Sequence, residues 1–213
     1  MCIKERSIHI ADNLKIAYID YILNQFDEDV IIGHEVMYGT CGKIADLILL
    51  YKGETYAVEI KSDSDSLNRI DGQLHEYKKM FNYVVVVCGE KYKKELIQRL
   101  PKDVGLYQVL SNSSVHEIKR PRKRTRLDKT EMLFSVKTSY LKKKADFPTS
   151  HIGADAIRNK FAKKRTSYIQ EILYEYWISK ISPAFSSFLS DRGSQTLPVD
   201  LANFSSYRVL SAF

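Results

Sequence analysis

The sequence predicts an α/β protein built on a mixed β-sheet with helices on its faces. Two observations lead to this fold class: segments with apolar residues at helical spacing alternate with short apolar runs, and glycine or proline marks the turns between them. The resulting order is helix, three strands, helix, strand, helix, strand, followed by an edge strand. The predicted helices cover residues 12–26, 66–81 and 90–99, and the predicted strands cover 30–38, 44–51, 55–61, 83–88, 104–110 and 115–118.

The two longer helices are predicted from their apolar faces. Residues 12–26 and 66–81 both place apolar side chains every three or four positions, which is the period of one helix face. The stretch before the second helix contains Ser62, Asp63 and Asp65, which are common helix-capping residues. We therefore interpret these three residues as caps.

The strands are predicted from short apolar runs bounded by turn residues. The run Y-V-V-V-V-C at 83–88 is typical of a buried strand. Gly39 and Gly42 mark the turn after the first strand, and Pro101 ends the third helix before the strand at 104–110. These turn and helix-ending residues separate the predicted elements.

Charge changes sign along the chain. Residues 1–118 contain 14 Lys and Arg against 18 Asp and Glu (net −4), and residues 119–213 contain 19 against 8 (net +11). A basic half favours a polyanionic partner, although a solvated basic surface has the same composition. Residues 119–126, K-R-P-R-K-R-T-R, are the most basic stretch. We therefore expect a core (1–118), a basic linker or arm (119–128) and a basic helical C-terminal extension (129–213).

The C-terminal extension is predicted to be helical. Residues 129–143 have the pattern of one helix, and residues 154–181 carry an apolar stripe typical of a longer one.

Composition excludes several classes of protein. No apolar run of about 18 residues predicts a membrane span, and the charged start of the chain lacks a signal-peptide core. Cys2, Cys41 and Cys88 have no paired spacing, which argues against a disulfide framework and a structural zinc site. We expect a cytoplasmic protein without a membrane partner.

Three charged residues stand within two otherwise apolar strands: Asp46, Glu59 and Lys61. With a two-residue turn at Lys52-Gly53, Asp46 lies opposite Glu59. With a turn at Gly53-Glu54, it lies opposite Lys61. In both cases the three side chains share one face of the sheet, whereas a three-residue turn would move Asp46 to the other face.

Paired carboxylates of this kind suit a divalent cation. Asp46 and Glu59 repel each other across the strand pair unless positive charge lies between them. Mg²⁺ or Mn²⁺ prefers such oxygen ligands, activates a bound water and polarises a phosphoryl oxygen. Lys61, on the same face, is placed to orient the water or to stabilise charge that develops on the phosphate.

This pattern resembles the PD-(D/E)xK nuclease superfamily, whose members have the restriction-endonuclease-like fold. Asp46, twelve intervening residues and the E-I-K sequence at residues 59–61 match its motif, and the order of elements over about residues 12–90 matches its core. The following sequence is similar to an uncharacterised bacterial or phage branch. Ala45 stands where many members have proline before the aspartate.

The resemblance implies a site and an activity. Asp46, Glu59 and Glu35 would bind Mg²⁺ or Mn²⁺, and Lys61 and Gln73 would complete the catalytic set. Gln73, with Tyr77, matches the Q-x-x-x-Y pattern of the following helix. The implied function is metal-dependent hydrolysis of phosphodiester bonds, with DNA as the expected nucleic acid.

Each of these residues also has a structural interpretation. Asp46 and Lys61 can form a simple ion pair, and Glu35 can be a solvated residue of an edge strand. Gln73 can be a solvated helix residue, and Tyr77 fits a core position better than a catalytic one.

Candidate contacts to nucleic acid are the basic residues of the core, the linker and the C-terminal region. Lys and Arg that bind phosphates do so without reading sequence, so no target site follows. The candidates are Lys43, Arg69, Arg120, Arg122, Lys123, Arg124, Arg126, Lys163, Lys164 and Arg165.

Two other function classes stay open at this point. One is a non-catalytic nucleic-acid-binding or protein-interaction module that retains the fold. The other is a structure-specific nuclease that works only inside a larger assembly, with the C-terminal helices as a docking element. A homodimer and a larger nucleoprotein assembly are both open as states of the protein.

Overall fold

A mixed six-stranded β-sheet forms the centre of the protein, which a computed structural model describes over residues 10–26 and 29–204. The strands follow chain order across the sheet. The first two pairings and the last are antiparallel, and the two between are parallel. The strands are β1 (Ile31–Tyr38), β2 (Lys43–Tyr51), β3 (Glu54–Lys61), β4 (Tyr83–Cys88), β5 (Val104–Val109) and β6 (Val115–Lys119).

Helices cover both faces of this sheet, so the predicted α/β class with a helix-flanked mixed sheet is confirmed. Three helices are interleaved with the strands and five follow them. They are α1 (Ile10–Gln25), α2 (Ile70–Met80), α3 (Lys93–Arg99), α4 (Lys129–Phe134), α5 (Thr138–Lys144), α6 (Ala154–Ala162), α7 (Thr166–Asp191) and α8 (Pro198–Asn203).

The β2–β3 hairpin has the two-residue turn on which the shared-face prediction depends. Tyr51 pairs with Glu54, and Lys52 and Gly53 between them have φ angles of 46° and 81°. Positive φ at both central residues is characteristic of a type I′ turn, whose twist matches that of the flanking strands. The register places Asp46 across from Glu59.

The second helix begins later than predicted. It starts at Ile70 instead of residue 66, and no side chain caps its first turn. Asp65 instead closes a turn on Ser62, accepting hydrogen bonds from its backbone N–H and its hydroxyl, both at 2.7 Å. Asp63 accepts a hydrogen bond from the backbone N–H of Lys91. The cap-forming residues therefore shape the loop after β3 and do not start the helix.

Both C-terminal helices predicted as single units are broken. Ser135 ends α4, because its hydroxyl donates to the Glu131 carbonyl at 2.9 Å and accepts from the backbone N–H of Gly39 at 2.7 Å. The ammonium of Lys129 binds the carbonyls of Ala162 and Lys164, at 3.0 and 2.6 Å, where α6 gives way to α7. These side chains satisfy backbone groups that a longer helix would have used.

Helix α7 also runs further than predicted, through Pro183 to Asp191. It crosses β1 at Gly33, where an added Cβ would lie 3.0 Å from Cδ1 of Ile181. Beyond the crossing, Phe185 enters the apolar cluster on the opposite face of the sheet. A single helix thus packs on both faces.

The C-terminal helices share one apolar core with the sheet. Trp177 of α7 stacks on Phe81 with 5.4 Å between ring centroids. Met132 of α4 and Phe161 of α6 belong to the same buried cluster as Val86 of β4. The segment predicted as an extension therefore completes one face of the sheet.

The basic linker is also bound to the core. The backbone N–H of Arg124 donates to the Asn82 carbonyl at 2.8 Å, and that of Arg122 donates to the Asp103 carbonyl at 3.0 Å. The guanidinium of Arg124 forms an ion pair with the Asp103 carboxylate. Residues 119–128 consequently follow the start of β4 and β5 and do not project as an arm.

The sequence predicts neither a membrane span nor a disulfide framework. Within residues 10–26 and 29–204, none of the helices combines the length and apolar character that a membrane crossing requires. Cys41 is exposed and Cys88 is buried, and both are free thiols. Cys2 lies outside the described residues.

Trp177→Ala should unfold the whole protein more easily, because α7 and the sheet share a core. We expect a loss of about 3–5 kcal/mol in the free energy of unfolding, which is usual for a buried Trp. Urea denaturation followed by circular dichroism should still show one transition. Trp177→Phe is the control and should lose less, since it keeps an aromatic ring against Phe81 and removes only part of the buried volume. A second transition that leaves the sheet folded would contradict a shared core.

Candidate active site

Asp46, Glu59 and Lys61, the three charged residues predicted to share a face, lie close together near the end of β3. Glu59 and Lys61 point to the face of the sheet that α2 covers, and their exposed fractions are 3% and 6%. Ionised side chains are rarely so buried unless they are paired. Their burial follows from the adjacent β4 and from α2, which packs over them.

Hydrogen bonds from three side chains converge on the Glu59 carboxylate. The Lys61 ammonium donates to Oε1 at 2.8 Å, and the Gln73 side-chain amide donates to the same oxygen at 2.5 Å. The Tyr77 hydroxyl donates to Oε2 at 2.6 Å. Lys61 also donates to Gln73 Oε1 at 2.9 Å. The network fixes both groups of the E-x-K motif in one orientation.

Gln73 and Tyr77 reach Glu59 because they lie four residues apart on one face of α2. Gln73, predicted as an outer member of the site, is therefore brought into it. Tyr77 is buried, as a core residue should be, and still binds Glu59. Burial raises the pKa of Tyr77 well above its usual value, and the nearby Glu59 and Asp46 charges raise it further. The hydroxyl therefore stays protonated and donates.

Asp46 completes the carboxylate pair from β2. Its Oδ2 accepts a hydrogen bond from the backbone N–H of Ile60 at 2.8 Å, between the two charged residues of β3. Burial raises the pKa of Asp46 to about 6, and the Glu59 charge contributes in the same direction. Lys15 and Lys61 lower it by smaller amounts. Burial and the neighbouring carboxylate therefore both favour the protonated form of Asp46.

The third predicted acidic residue, Glu35, lies on β1 beside Lys15. It follows His34 in β1 with a φ of 52°, and its side chain is 45% exposed. Its Oε1 lies 3.5 Å from the Lys15 ammonium and 3.7 Å from His34 Nε2. Over the described ranges, no group of three or more His, Cys, Asp or Glu side chains is placed to hold one metal ion. The structure thus brings together Asp46 and Glu59 without Glu35.

The sequence reasoning missed a buried lysine next to the site. Lys15 of α1 is only 7% exposed, and its ammonium lies 3.3 Å from Nε2 of His34. Burial lowers the pKa of His34 to about 4, and the Lys15 charge lowers it further, so His34 is neutral at physiological pH. Lys15 lies on the apolar face of α1, between Leu14 and Tyr18. A charged residue on an apolar helix face is the sequence feature that could have identified it.

An open cleft gives access to the network. It has a volume of about 530 Å³, and Gln73 and Tyr77 form part of its wall. Lys43 and Arg69, both predicted nucleic-acid contacts, line the same cleft. Lys43 is paired with Glu76 at 3.0 Å, and Arg69 is exposed to solvent. Two predicted cations therefore lie where a polyanion could approach the site.

The other predicted basic contacts lie elsewhere. Lys123 pairs with Glu54 at the start of β3, whereas the site is at its end, about 23 Å away at roughly 3.3 Å per residue. Lys164 pairs with Asp146 at 2.5 Å, and Arg120 pairs with Glu117 at 2.7 Å. The predicted basic contacts that are exposed outside the cleft are Arg120, Arg122, Lys123, Arg126, Lys163 and Arg165.

Donor chemistry at the Asp46–Glu59 pair fits Mg²⁺ or Mn²⁺. After burial itself, the Glu59 charge is the next cause of the raised pKa of Asp46, so a cation between the two carboxylates would relieve part of their repulsion. Mg²⁺ typically uses one or two carboxylates and keeps several waters, so two acidic residues beside an open cleft are sufficient. A third acidic ligand is not required.

Comparison with known proteins identifies the family. A sequence model described as bacteriophage P4 protein cII matches residues 7–201. The chain belongs to the bacteriophage P4 protein cII family. Protein cII of Enterobacteria phage P4 is 38% identical over 102 residues, which cover 47% of this chain and 38% of that protein. The match thus spans well under half of the length of this curated relative.

This cII-family protein is also similar to a solved structure, that of a protein of unknown function from Silicibacter pomeroyi. The two sequences are 17% identical. The structures have a TM-score of 0.43, and the match covers 55% of this chain and 74% of the other. The phage relationship expected from the sequence is confirmed at the level of the family. Membership of the PD-(D/E)xK superfamily stays a prediction.

Asp46→Asn should stabilise the metal-free protein at neutral pH. The folded-state pKa of Asp46 is about 6 against an ordinary 3.8, so the native state binds more protons between these values and wild-type stability falls as pH rises. Asn keeps an acceptor for the Ile60 N–H but carries no charge. We expect a gain of about 1–3 kcal/mol at pH 8 that shrinks towards pH 4.

Urea unfolding in EDTA at several pH values measures this difference. Asp155→Asn, on the exposed surface of α6, is the matched control and should change stability little at any pH. A lower stability of Asp46→Asn at pH 8 would show that the Asp46 charge is already compensated.

Proposed function

We propose that this protein is a metal-dependent nuclease that hydrolyses phosphodiester bonds, with DNA as its expected substrate. The observation that carries the proposal is the Asp46–Glu59 carboxylate pair beside a buried Lys61, held by Gln73 and Tyr77, which also line the neighbouring cleft together with Lys43 and Arg69. A structural ion pair with Lys61 needs only one carboxylate. Mg²⁺ commonly takes one or two carboxylates, so a cation site accounts for the second one.

Asp46 and Glu59 would hold Mg²⁺ or Mn²⁺. When bound, such an ion lowers the pKa of a coordinated water and withdraws charge from a phosphoryl oxygen. Hydrolysis then joins the water oxygen to phosphorus, breaks one phosphorus–oxygen ester bond and delivers a proton to the leaving oxygen. The side chains must hold water and phosphate in line for this exchange.

Lys61 is positioned to perform part of that task. An ammonium has three N–H donors, and two of those on Lys61 go to Glu59 and Gln73. The third is available for the attacking water or for a phosphoryl oxygen, where positive charge stabilises the transition state. Gln73 and Tyr77 act as positioning residues, since they orient Lys61 and Glu59.

Arg69 and Lys43 would bind the phosphodiester backbone along the cleft. Both line its wall, and contacts of this kind position a nucleic acid without selecting its sequence. Arg69 is free to turn towards a phosphate, because it forms no ion pair with another residue of the described ranges.

A second function is supported by the Glu59 network itself. Both carboxylate oxygens already accept hydrogen bonds from protein donors, as expected for a structural acid. A non-catalytic nucleic-acid-binding module that kept the fold would have this arrangement. It predicts binding that weakens steeply with salt, and no cleavage with any metal.

Purified protein should cleave DNA with Mg²⁺ or Mn²⁺ and not in EDTA. Asp46→Asn and Lys61→Met should each reduce the rate at least about 100-fold, the usual scale for losing a transition-state charge contact. The measurement is a time course with end-labelled single-stranded, double-stranded and branched DNA.

Two controls separate chemistry from folding. Asp155→Asn and Lys94→Met remove the same groups from exposed positions and should leave the rate within about twofold. Lys61→Met leaves a buried carboxylate with one donor fewer, which costs about 3–5 kcal/mol in comparable pairs, so its thermal unfolding must be recorded. Equal cleavage by wild type and by folded Asp46→Asn would overturn the assignment of the site.

A further inference from the structure

A second cleft adjoins the first near the active site. It has a volume of about 410 Å³ and lies between the end of β1 and helices α4 to α6. Tyr38 lines both clefts, and its ring lies 5.4 Å from that of Tyr77, the donor to Glu59. The two clefts are therefore neighbours that share a wall residue. We name the second one the Arg158 cleft.

Charge in the Arg158 cleft favours an anion. Its walls include Arg158 and Lys137 together with the hydroxyls of Ser135, Thr138 and Ser139. No Asp or Glu from the described part of the chain lines it, and Arg158 forms no ion pair with any carboxylate there. In this respect it differs from the basic linker, where Glu54, Asp103 and Glu117 pair with the cations.

The Arg158 side chain is held in place while most of its N–H groups stay available as hydrogen-bond donors. Its guanidinium lies over the Phe134 ring, 4.5 Å from the centroid, and its Nε–H donates to the Leu133 carbonyl at 3.4 Å. A guanidinium has five N–H donors, so four remain. Since the ring and the carbonyl fix its orientation, little conformational freedom is lost when it binds a phosphate.

Phe134 provides an apolar surface beside this cation. It is 43% exposed, which is unusual for a large aromatic side chain at the rim of a polar cleft. Exposed aromatic rings next to Arg are the surfaces on which unpaired bases stack in single-stranded nucleic-acid sites. A base inside a duplex is already stacked on both faces and cannot use such a ring.

We propose that the Arg158 cleft binds a nucleotide of single-stranded nucleic acid, with Arg158 on a phosphate and Phe134 against a base. The inference rests on the proposed function, because it places this nucleotide on the same strand as the phosphate bound at Asp46 and Glu59. It assigns single strands, or duplexes with an unpaired end, as the substrate class.

Binding without cleavage tests the proposal. The probe is fluorescein-labelled oligothymidylate about 12 nucleotides long, within the usual span of such sites, titrated in EDTA and followed by fluorescence anisotropy. Arg158→Gln should weaken binding about tenfold and reduce the salt dependence by about 0.7 in the slope of log K against log salt. Phe134→Ala should also weaken it about tenfold.

Matched controls remove the same groups at distant positions. Lys94→Gln, on the exposed surface of α3, changes net charge equally, and Leu189→Ala removes an apolar group that is 42% exposed. Both should stay within about twofold of wild type. Thermal unfolding is recorded for each variant to show that it is folded. Arg158 and Phe134 are partly exposed, so neither substitution should unfold the protein.

Several outcomes would overturn the proposal. The first is no binding of the single strand by wild type. The second is an equal loss of affinity for Arg158→Gln and Lys94→Gln. The third is an Arg158 dependence seen only with duplex DNA. Cleavage is scored separately. If Arg158 dependence is found without cleavage under any metal, the cleft stands and the catalytic assignment falls. If cleavage is found without Arg158 dependence, the reverse holds.

Discussion

The buried Glu59 carboxylate is the group around which this end of the molecule is arranged. An ionised side chain at 3% exposure is costly unless donors surround it, and Lys61, Gln73 and Tyr77 supply them. This requirement fixes the position of α2 against β3. Asp46 instead accepts from the backbone N–H of Ile60, and we propose that this second carboxylate makes the site suitable for a cation.

Sequence reasoning located this site because its signals are local. Asp46, Glu59 and Lys61 are charges within apolar strands, and the two-residue hairpin turn fixes which face they share. Gln73 contacts Glu59, as the sequence predicts, because α2 follows β3 directly and its spacing is regular. Strand positions were predicted well for the same reason, as each is a short apolar run between turn residues.

What the sequence did not reveal depends on contacts between distant segments. Lys15 reaches the site because α1 packs over the sheet, which no local pattern specifies. The basic linker resembled a free arm because Asp103, about twenty residues upstream, is what anchors Arg124. The C-terminal helices were predicted to be an extension, because no local pattern shows that Trp177 packs against Phe81. Charge composition therefore indicated a polyanionic partner without indicating which basic residues face it.

The central claim is that Asp46 and Glu59 form a cation site, and direct metal binding tests it most simply. Titration of Mn²⁺ followed by electron paramagnetic resonance at pH 8 should show one bound ion per chain in wild type. Asp46→Asn should lose that ion, and Asp155→Asn should retain it. Failure of wild type to bind Mn²⁺, or equal binding by Asp46→Asn, would contradict the account.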